Sequence, residues 1–130
     1  MFQITALYAG ILAIILVVLS AHVIMGRQSN AVSLGDGGGV LSKRIRAHGN
    51  FIEYVPMALI LIGLLESRGT AGWLVHVLGI VLVVSRILHP FGLSMKPPNA
   101  PRAIGASGTL LVLLVGGVLL LLSVLFNFKV

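Results

Sequence analysis

Charged and amide side chains cluster in one short stretch of an otherwise strongly apolar chain, "RAHGNFIEYVP" at residues 46–56. On a helix that turns about 100° per residue, Arg46, Asn50 and Glu53 would lie within an arc of about 60°. An unpaired carboxylate is costly inside an apolar span, and ionisable residues at that depth commonly mark a functional site. We therefore expect Glu53 to have a cationic partner, which either holds neighbouring helices together or helps to bind a ligand.

Further basic groups occur near the ends of two other apolar segments. Arg86 and His89 are close enough in sequence to share a helix face. Arg102 follows Pro101, which is well suited to the first turn of a helix. If these helix ends converge, they form a basic pocket that suits a small anionic ligand with an ammonium group, because arginines bind carboxylates and Glu53 can bind the amine. A ligand thiol near Arg102 and the helix N-terminus would become more acidic, since both stabilise the thiolate.

The elements that must position these side chains are transmembrane helices. The 130 residues are 58% hydrophobic and 9% charged, with a mean hydropathy of +1.10, which indicates one integral membrane domain over residues 1–130 in contact with a lipid bilayer. Apolar segments at residues 4–25, 51–65, 71–88 and 104–128 predict four spans, the first retained as a helix rather than cleaved as a signal peptide. The second and third match a hydrocarbon core of about 30 Å only if they include residues 46–50 and 89–91.

The basic residues are distributed unevenly among the loops. Two loops carry most of them, at positions 27, 43, 44 and 46 and at positions 86, 96 and 102, whereas the opposite side has only Arg68 and Lys129. The positive-inside rule therefore predicts that the first and third loops are cytoplasmic and that both termini are outside. The net charge of +6 is explained by this topology and by contact with anionic lipid, so no nucleic-acid partner is expected.

Other features predict structure rather than chemistry. The chain has no cysteine, and the isolated His22 and His76 are interpreted as packing residues, so no metal site is expected. Residues 27–42 contain "SLGDGGG" and predict a flexible connection, while the short loop at residues 66–72 makes the second and third helices antiparallel neighbours and should leave Glu66 and Arg68 solvated. Small residues at helix positions predict close packing in lipid: Gly63, Gly72, Gly79, Gly105, Gly108, Gly116 and Gly117.

The motifs resemble a known family. "RAHGNFIEYVP" resembles the signature of the MAPEG family, the membrane-associated proteins in eicosanoid and glutathione metabolism, in which arginine, asparagine and glutamate have this spacing on helix two. "SRILH" at residues 85–89 and "APR" at residues 100–102 are similar to the end of that family's third helix and the start of its fourth. The resemblance implies an all-α, four-helix integral membrane bundle that assembles as a homotrimer, of the compact type found in bacterial inner membranes.

The resemblance also implies glutathione as co-substrate, bound at each subunit interface near the cytoplasmic side. By position, Arg102 would be catalytic by stabilising the thiolate, and the residues that hold the tripeptide would be Arg46, Asn50, Glu53, Arg86 and His89. The expected activity is that of a transferase or peroxidase, in which the thiolate attacks a lipophilic small molecule or reduces a lipid hydroperoxide.

Two alternatives differ in function class. Tyrosines that some family members carry correspond here to Leu93 and Ala106, and a serine of one branch corresponds to Ala103; these departures favour a glutathione-binding or scaffold protein without catalysis, and they argue against dedicated eicosanoid synthesis. A small multidrug exporter also has four short helices, but it requires a carboxylate in the first span, and residues 4–25 contain none.

Overall fold

The computed structural model describes residues 2–127, which form four helices in an all-α bundle. The helices are α1 (Gln3–Ser29), α2 (Gly39–Ser67), α3 (Gly72–Ser94) and α4 (Ala100–Leu125). Each is long and apolar enough to cross a membrane, which confirms the four predicted spans. The predicted end of the fourth span at residue 128, and Lys129, lie outside the described residues.

Both polar extensions are helical, as their lengths predicted. Residues 46–50 lie well inside α2, and residues 89–91 lie inside α3. The first connection is shorter than expected, because residues 39–42 already belong to α2. Asp36 stabilises this early start: its Oδ1 accepts from the Gly38 N–H at 3.1 Å and its Oδ2 accepts from the Ser42 hydroxyl at 3.1 Å. The segment predicted to be a flexible connection therefore contains the first residues of α2, and Asp36 stabilises them by hydrogen bonds.

Helices α2 and α3 pack against each other, and α1 and α4 each pack against both of them. Within residues 2–127, α1 and α4 do not contact one another. The buried core runs along that pair and includes Phe51, Ile62 and Leu82, with Leu12 from α1 and Val112 from α4. The most extensive contact joins α3 and α4.

Glycines allow the close approach of α3 and α4. A Cβ added to Gly105 would lie 2.7 Å from the backbone nitrogen of His89, and one added to Gly108 would overlap the Ser85 hydroxyl. Gly92, which was not among the predicted contact residues, packs in the same way against the start of α4. The prediction of close packing is thus confirmed at Gly105 and Gly108, whereas Gly117 has no atom within 4 Å of the added Cβ.

The opposite end of the bundle is fastened by Glu66 and Arg68, and the expectation that both are simply solvated was wrong. The Glu66 carboxylate accepts from the backbone N–H groups of Ile4 at 2.9 Å and Thr5 at 2.8 Å, and from the Thr5 hydroxyl at 2.6 Å. Arg68 donates from Nε to the Ser123 hydroxyl at 2.8 Å and from Nη2 to the Ser123 carbonyl at 2.7 Å. The free N–H groups at the start of α1 attract a carboxylate. The segment between α2 and α3 is therefore hydrogen-bonded to α1 through Glu66 and to α4 through Arg68.

Candidate functional site

Arg86 is the centre of the polar residues at the other end of the bundle. It projects from α3 into the protein and is only 2% exposed. Its Nη1 donates to Asn50 Oδ1 of α2 at 2.8 Å, and its Nη2 donates to the Gly105 carbonyl of α4 at 2.8 Å. One buried guanidinium therefore joins three helices, and hydrogen bonds to a charged group are among the stronger ones.

A small cavity adjoins this guanidinium. Its volume is about 60 Å³, and it is lined by Asn50, Tyr54, Arg86, Ala106, Thr109 and Leu110. The Thr109 hydroxyl donates to the Gly105 carbonyl at 3.0 Å, so this carbonyl accepts a second bond. Arg86 Nε is buried and has no hydrogen-bond partner within residues 2–127. The cavity can hold a water molecule or two, but a tripeptide needs more space than this cavity provides.

Glu53 has a cationic partner, as expected, but the partner is on the same helix and the pair is not buried. Arg46 Nη1 lies 3.4 Å from Glu53 Oε1, and the two side chains are 63% and 47% exposed. Two helical turns separate the residues, a rise of about 10 Å that the long arginine side chain can span. Asn50 lies between them on the same face, so the exposed ion pair and the buried Arg86 are joined through one stripe of α2.

His89 and Arg102 complete the predicted set. His89 is 7% exposed, and its backbone packs against Gly105 of α4. Arg102 is exposed in the first turn of α4, where its backbone N–H donates to the Asn99 side chain at 3.0 Å.

The structure therefore separates the predicted residues into two groups. Asn50, Arg86 and His89 are packed where α2, α3 and α4 meet. Arg46, Glu53 and Arg102 lie on the surface of the protomer at the same end. We call all six the polar cluster. It has three arginines and one carboxylate, so it can bind a ligand with more than one anionic group, while Glu53 can accept from an ammonium group.

Two polar residues of the cavity were not predicted as site residues. Thr109 follows Gly105 by one helical turn, and its hydroxyl donates to the carbonyl that also accepts from Arg86. The signal was a hydroxyl residue in a largely aliphatic helix, a feature that Ser107 and Ser123 share. Tyr54 lines the same cavity, although its position beside Glu53 was equally consistent with a lipid-facing side chain. Within residues 2–127, no group of three histidine or acidic side chains could hold a metal ion. His76 of α3 packs against α1, with its Nδ1 2.9 Å from the Tyr8 hydroxyl.

Comparison with known proteins identifies the family. The sequence model of the MAPEG family matches residues 5–122, which is most of the chain. The chain belongs to the MAPEG family. The chain is also 41% identical over 91 residues to the inner membrane protein YecN of Escherichia coli strain K12, a match that covers 69% of this chain and 70% of YecN. The YecN protein of Escherichia coli O6:H1 strain CFT073 gives the same values, and no solved structure matches the chain.

The MAPEG assignment confirms the resemblance inferred from residues 46–56, 85–89 and 100–102. Together with the four helices, it makes this chain an integral membrane protein of four transmembrane helices, and it replaces the alternative of a small multidrug exporter. The polar cluster occupies one end of this MAPEG bundle, where α2 and α4 begin and α3 ends.

Proposed function

We propose that this protein binds glutathione through the polar cluster and uses it in a transferase or peroxidase reaction on a lipophilic substrate. The observation that carries the proposal is the buried Arg86, which bonds Asn50 and Gly105 beside the exposed pair of Arg46 and Glu53. MAPEG membership supports the choice of glutathione, which has two carboxylates, one ammonium group and one thiol.

Each group of the cluster has a role in this proposal. Since Asn50 accepts from Arg86 through Oδ1, its NH₂ group remains free to donate to a glutathione carboxylate. Arg46 binds the other carboxylate, and Glu53 binds the ammonium group. Arg86 holds Asn50 in place and adds positive charge, while His89 packs in the α3–α4 contact. The exposed ion pair is thus a preformed pair of opposite charges that a zwitterionic ligand can match.

We further propose that a second copy of the chain completes the site and that the assembly is a homotrimer. The cavity of about 60 Å³ is too small for a tripeptide, and Arg46, Glu53 and Arg102 are exposed on the protomer. The name of YecN and the distribution of basic residues favour the bacterial inner membrane, with the first and third loops in the cytoplasm. Light scattering of the detergent-solubilised protein should give three chains of 13.7 kDa each; a monomer would contradict the shared site.

The chemistry assigned to Arg102 is stabilisation of the thiolate. The glutathione thiol gives its proton to solvent, and the guanidinium together with the start of α4 stabilises the resulting anion. In the transferase reaction, sulfur forms a bond to the electrophilic carbon as the leaving group departs with its electron pair. In the peroxidase reaction, sulfur takes the terminal oxygen of the hydroperoxide and an alcohol leaves. The sulfenate then takes up a proton from solvent and reacts with the thiol of a second glutathione to give glutathione disulfide and water.

Retention on immobilised glutathione and turnover of 1-chloro-2,4-dinitrobenzene test the proposal together. Arg102→Ala should remain on the resin but lose turnover by about tenfold or more near pH 7, since each unit of increase in the thiol pKa reduces the thiolate fraction about tenfold. Lys96→Ala, which removes a charge from the preceding loop, should keep both properties. Full turnover in Arg102→Ala would contradict the thiolate role.

A second candidate function is glutathione binding without catalysis. It is favoured by Ala106, which lines the small cavity, and by Leu93, because both stand where other MAPEG proteins can have a tyrosine. Retention on the resin without turnover of several electrophiles or of a lipid hydroperoxide would establish this alternative.

A further inference from the structure

A larger cavity lies at the same end of the bundle but between α1, α2 and α3, whereas the polar cluster lies where α2, α3 and α4 meet. Its volume is about 360 Å³, which is within the range of about 300–1,000 Å³ that is usual for ligand pockets. We call it the lateral cavity. Its apolar lining includes Leu19 of α1, Ala47 of α2 and Phe91 of α3, and its basic lining consists of Lys43 and Arg44 of α2.

The two cations have no acidic partner within residues 2–127. The one ion pair there is between Arg46 and Glu53. Arg44 Nη1 donates to the His22 carbonyl at 3.2 Å, which holds the guanidinium beside the cavity without neutralising it. Lys43 is exposed.

The acidic side chains of the whole sequence are committed elsewhere. The sequence has only three of them. Asp36 accepts hydrogen bonds at the start of α2, Glu53 pairs with Arg46, and Glu66 binds the start of α1 at the opposite end of the bundle. Within residues 2–127, no acidic side chain forms an ion pair with Lys43 or Arg44, and an anion from outside the chain is the natural partner.

The position of the cavity indicates what carries that anion. Lys43 and Arg44 lie about 6–8 Å along α2 from its first residue, at about 1.5 Å per residue, which is the depth of lipid headgroups for a helix that begins at the membrane surface. Phe91 lines the cavity and is also exposed on the outer surface of the bundle. The apolar lining of the cavity therefore continues onto the apolar outer surface that lipid contacts. Basic pockets between transmembrane helices bind anionic lipid headgroups.

We propose that the lateral cavity binds one anionic phospholipid of the surrounding bilayer. Lys43 and Arg44 contact the phosphate, and an acyl chain lies along Leu19, Ala47 and Phe91. This site is separate from the polar cluster and does not depend on glutathione binding.

Native mass spectrometry of the delipidated full-length protein tests this site. The protein is mixed with equal amounts of phosphatidylglycerol and phosphatidylcholine that have the same acyl chains, and the ratio of the bound lipids is measured. The wild-type protein should retain phosphatidylglycerol preferentially. Lys43→Gln/Arg44→Gln should reduce that preference about tenfold or more, since each cation near the headgroups favours an anionic lipid several-fold. Lys43→Gln alone, at an exposed position, should give a smaller reduction and serves if the double variant does not fold.

Matched controls separate a built site from general charge attraction. Arg27→Gln/Lys96→Gln removes the same charge from the same end without altering the cavity lining and should keep the preference. Ser94→Leu adds volume to the exposed rim of the cavity and keeps both cations, so it should weaken lipid retention. The proposal would be overturned if the two double variants lost the preference equally, or if the wild-type protein showed no preference. It would also be overturned if folded Ser94→Leu retained the lipid fully, or if glycerol 3-phosphate at the same concentration displaced the lipid.

Discussion

Gly105→Ala is the perturbation that most directly tests how the fold positions the polar cluster. The added methyl group would lie 2.7 Å from the backbone nitrogen of His89 and 2.8 Å from its Cα. Backbone atoms cannot move aside as a flexible side chain can, so α3 and α4 must separate. The Gly105 carbonyl, which accepts from Arg86 Nη2 at 2.8 Å, would move with α4.

The magnitude follows from two costs. Overpacking of this kind costs about 1–3 kcal/mol, and a hydrogen bond to a charged group contributes about 1.5–3 kcal/mol. Gly117→Ala is the matched control, because it is the same change in the same helix at a position where the added Cβ meets nothing within 4 Å. The gain in helix propensity, about 1 kcal/mol, is common to both variants. Gly105→Ala should therefore be about 2.5–6 kcal/mol less stable than Gly117→Ala.

The assay is an SDS titration of the detergent-solubilised variants, followed by circular dichroism, with retention on immobilised glutathione measured in parallel. Gly105→Ala should unfold at lower SDS and be retained poorly, and Gly117→Ala should match or exceed the wild-type protein in stability. Equal stability of the two variants would refute the inferred helix contact. Reduced stability with unchanged retention would show that the Arg86 position does not matter for the ligand.

Three further predictions concern the ion pair, the far end of the bundle and the topology. Glu53→Gln should change the free energy of unfolding by at most about 1 kcal/mol, because the pair with Arg46 is exposed, yet it should lower retention on glutathione resin; a loss of stability instead would make the pair structural. Glu66→Ala should cost about 0.5–2 kcal/mol in the SDS titration, with Glu66→Gln intermediate, since it removes the acceptor for the start of α1. Alkaline phosphatase fused after residue 130 should be active outside the cytoplasm, and an inactive fusion would reverse the topology.

The sequence was sufficient for the number of helices and for the extension of the second and third helices through their polar residues. Helix periodicity placed Arg46, Asn50 and Glu53 on one face, and the shortness of the second apolar segment required residues 46–50 to be helical, as found. These properties depend on residues near one another along one helix, so they can be read locally.

Contacts between distant segments could not be predicted in the same way. Glu66 and Arg68 were expected to be solvated because a short polar loop usually is, but their partners, Thr5 and Ser123, are at the far ends of the chain. Small residues indicated close packing, but only the structure shows that Gly105 lies against His89 and that its carbonyl accepts from Arg86. The lateral cavity also depends on the relative placement of three helices, which no local pattern specifies.

Calorimetric titration of the solubilised protein with glutathione tests the central claim that the polar cluster binds this tripeptide by its charges. The wild-type protein should bind glutathione and S-hexylglutathione saturably. γ-Glutamylcysteine lacks the glycine and so does not present that residue's carboxylate. It should bind at least tenfold more weakly, because each charge-assisted contact contributes about 1.5–3 kcal/mol. Glu53→Gln and Arg46→Gln should each weaken glutathione binding, whereas Lys96→Gln should not. The absence of saturable binding by the folded wild-type protein, or equal binding by all these variants, would contradict the account.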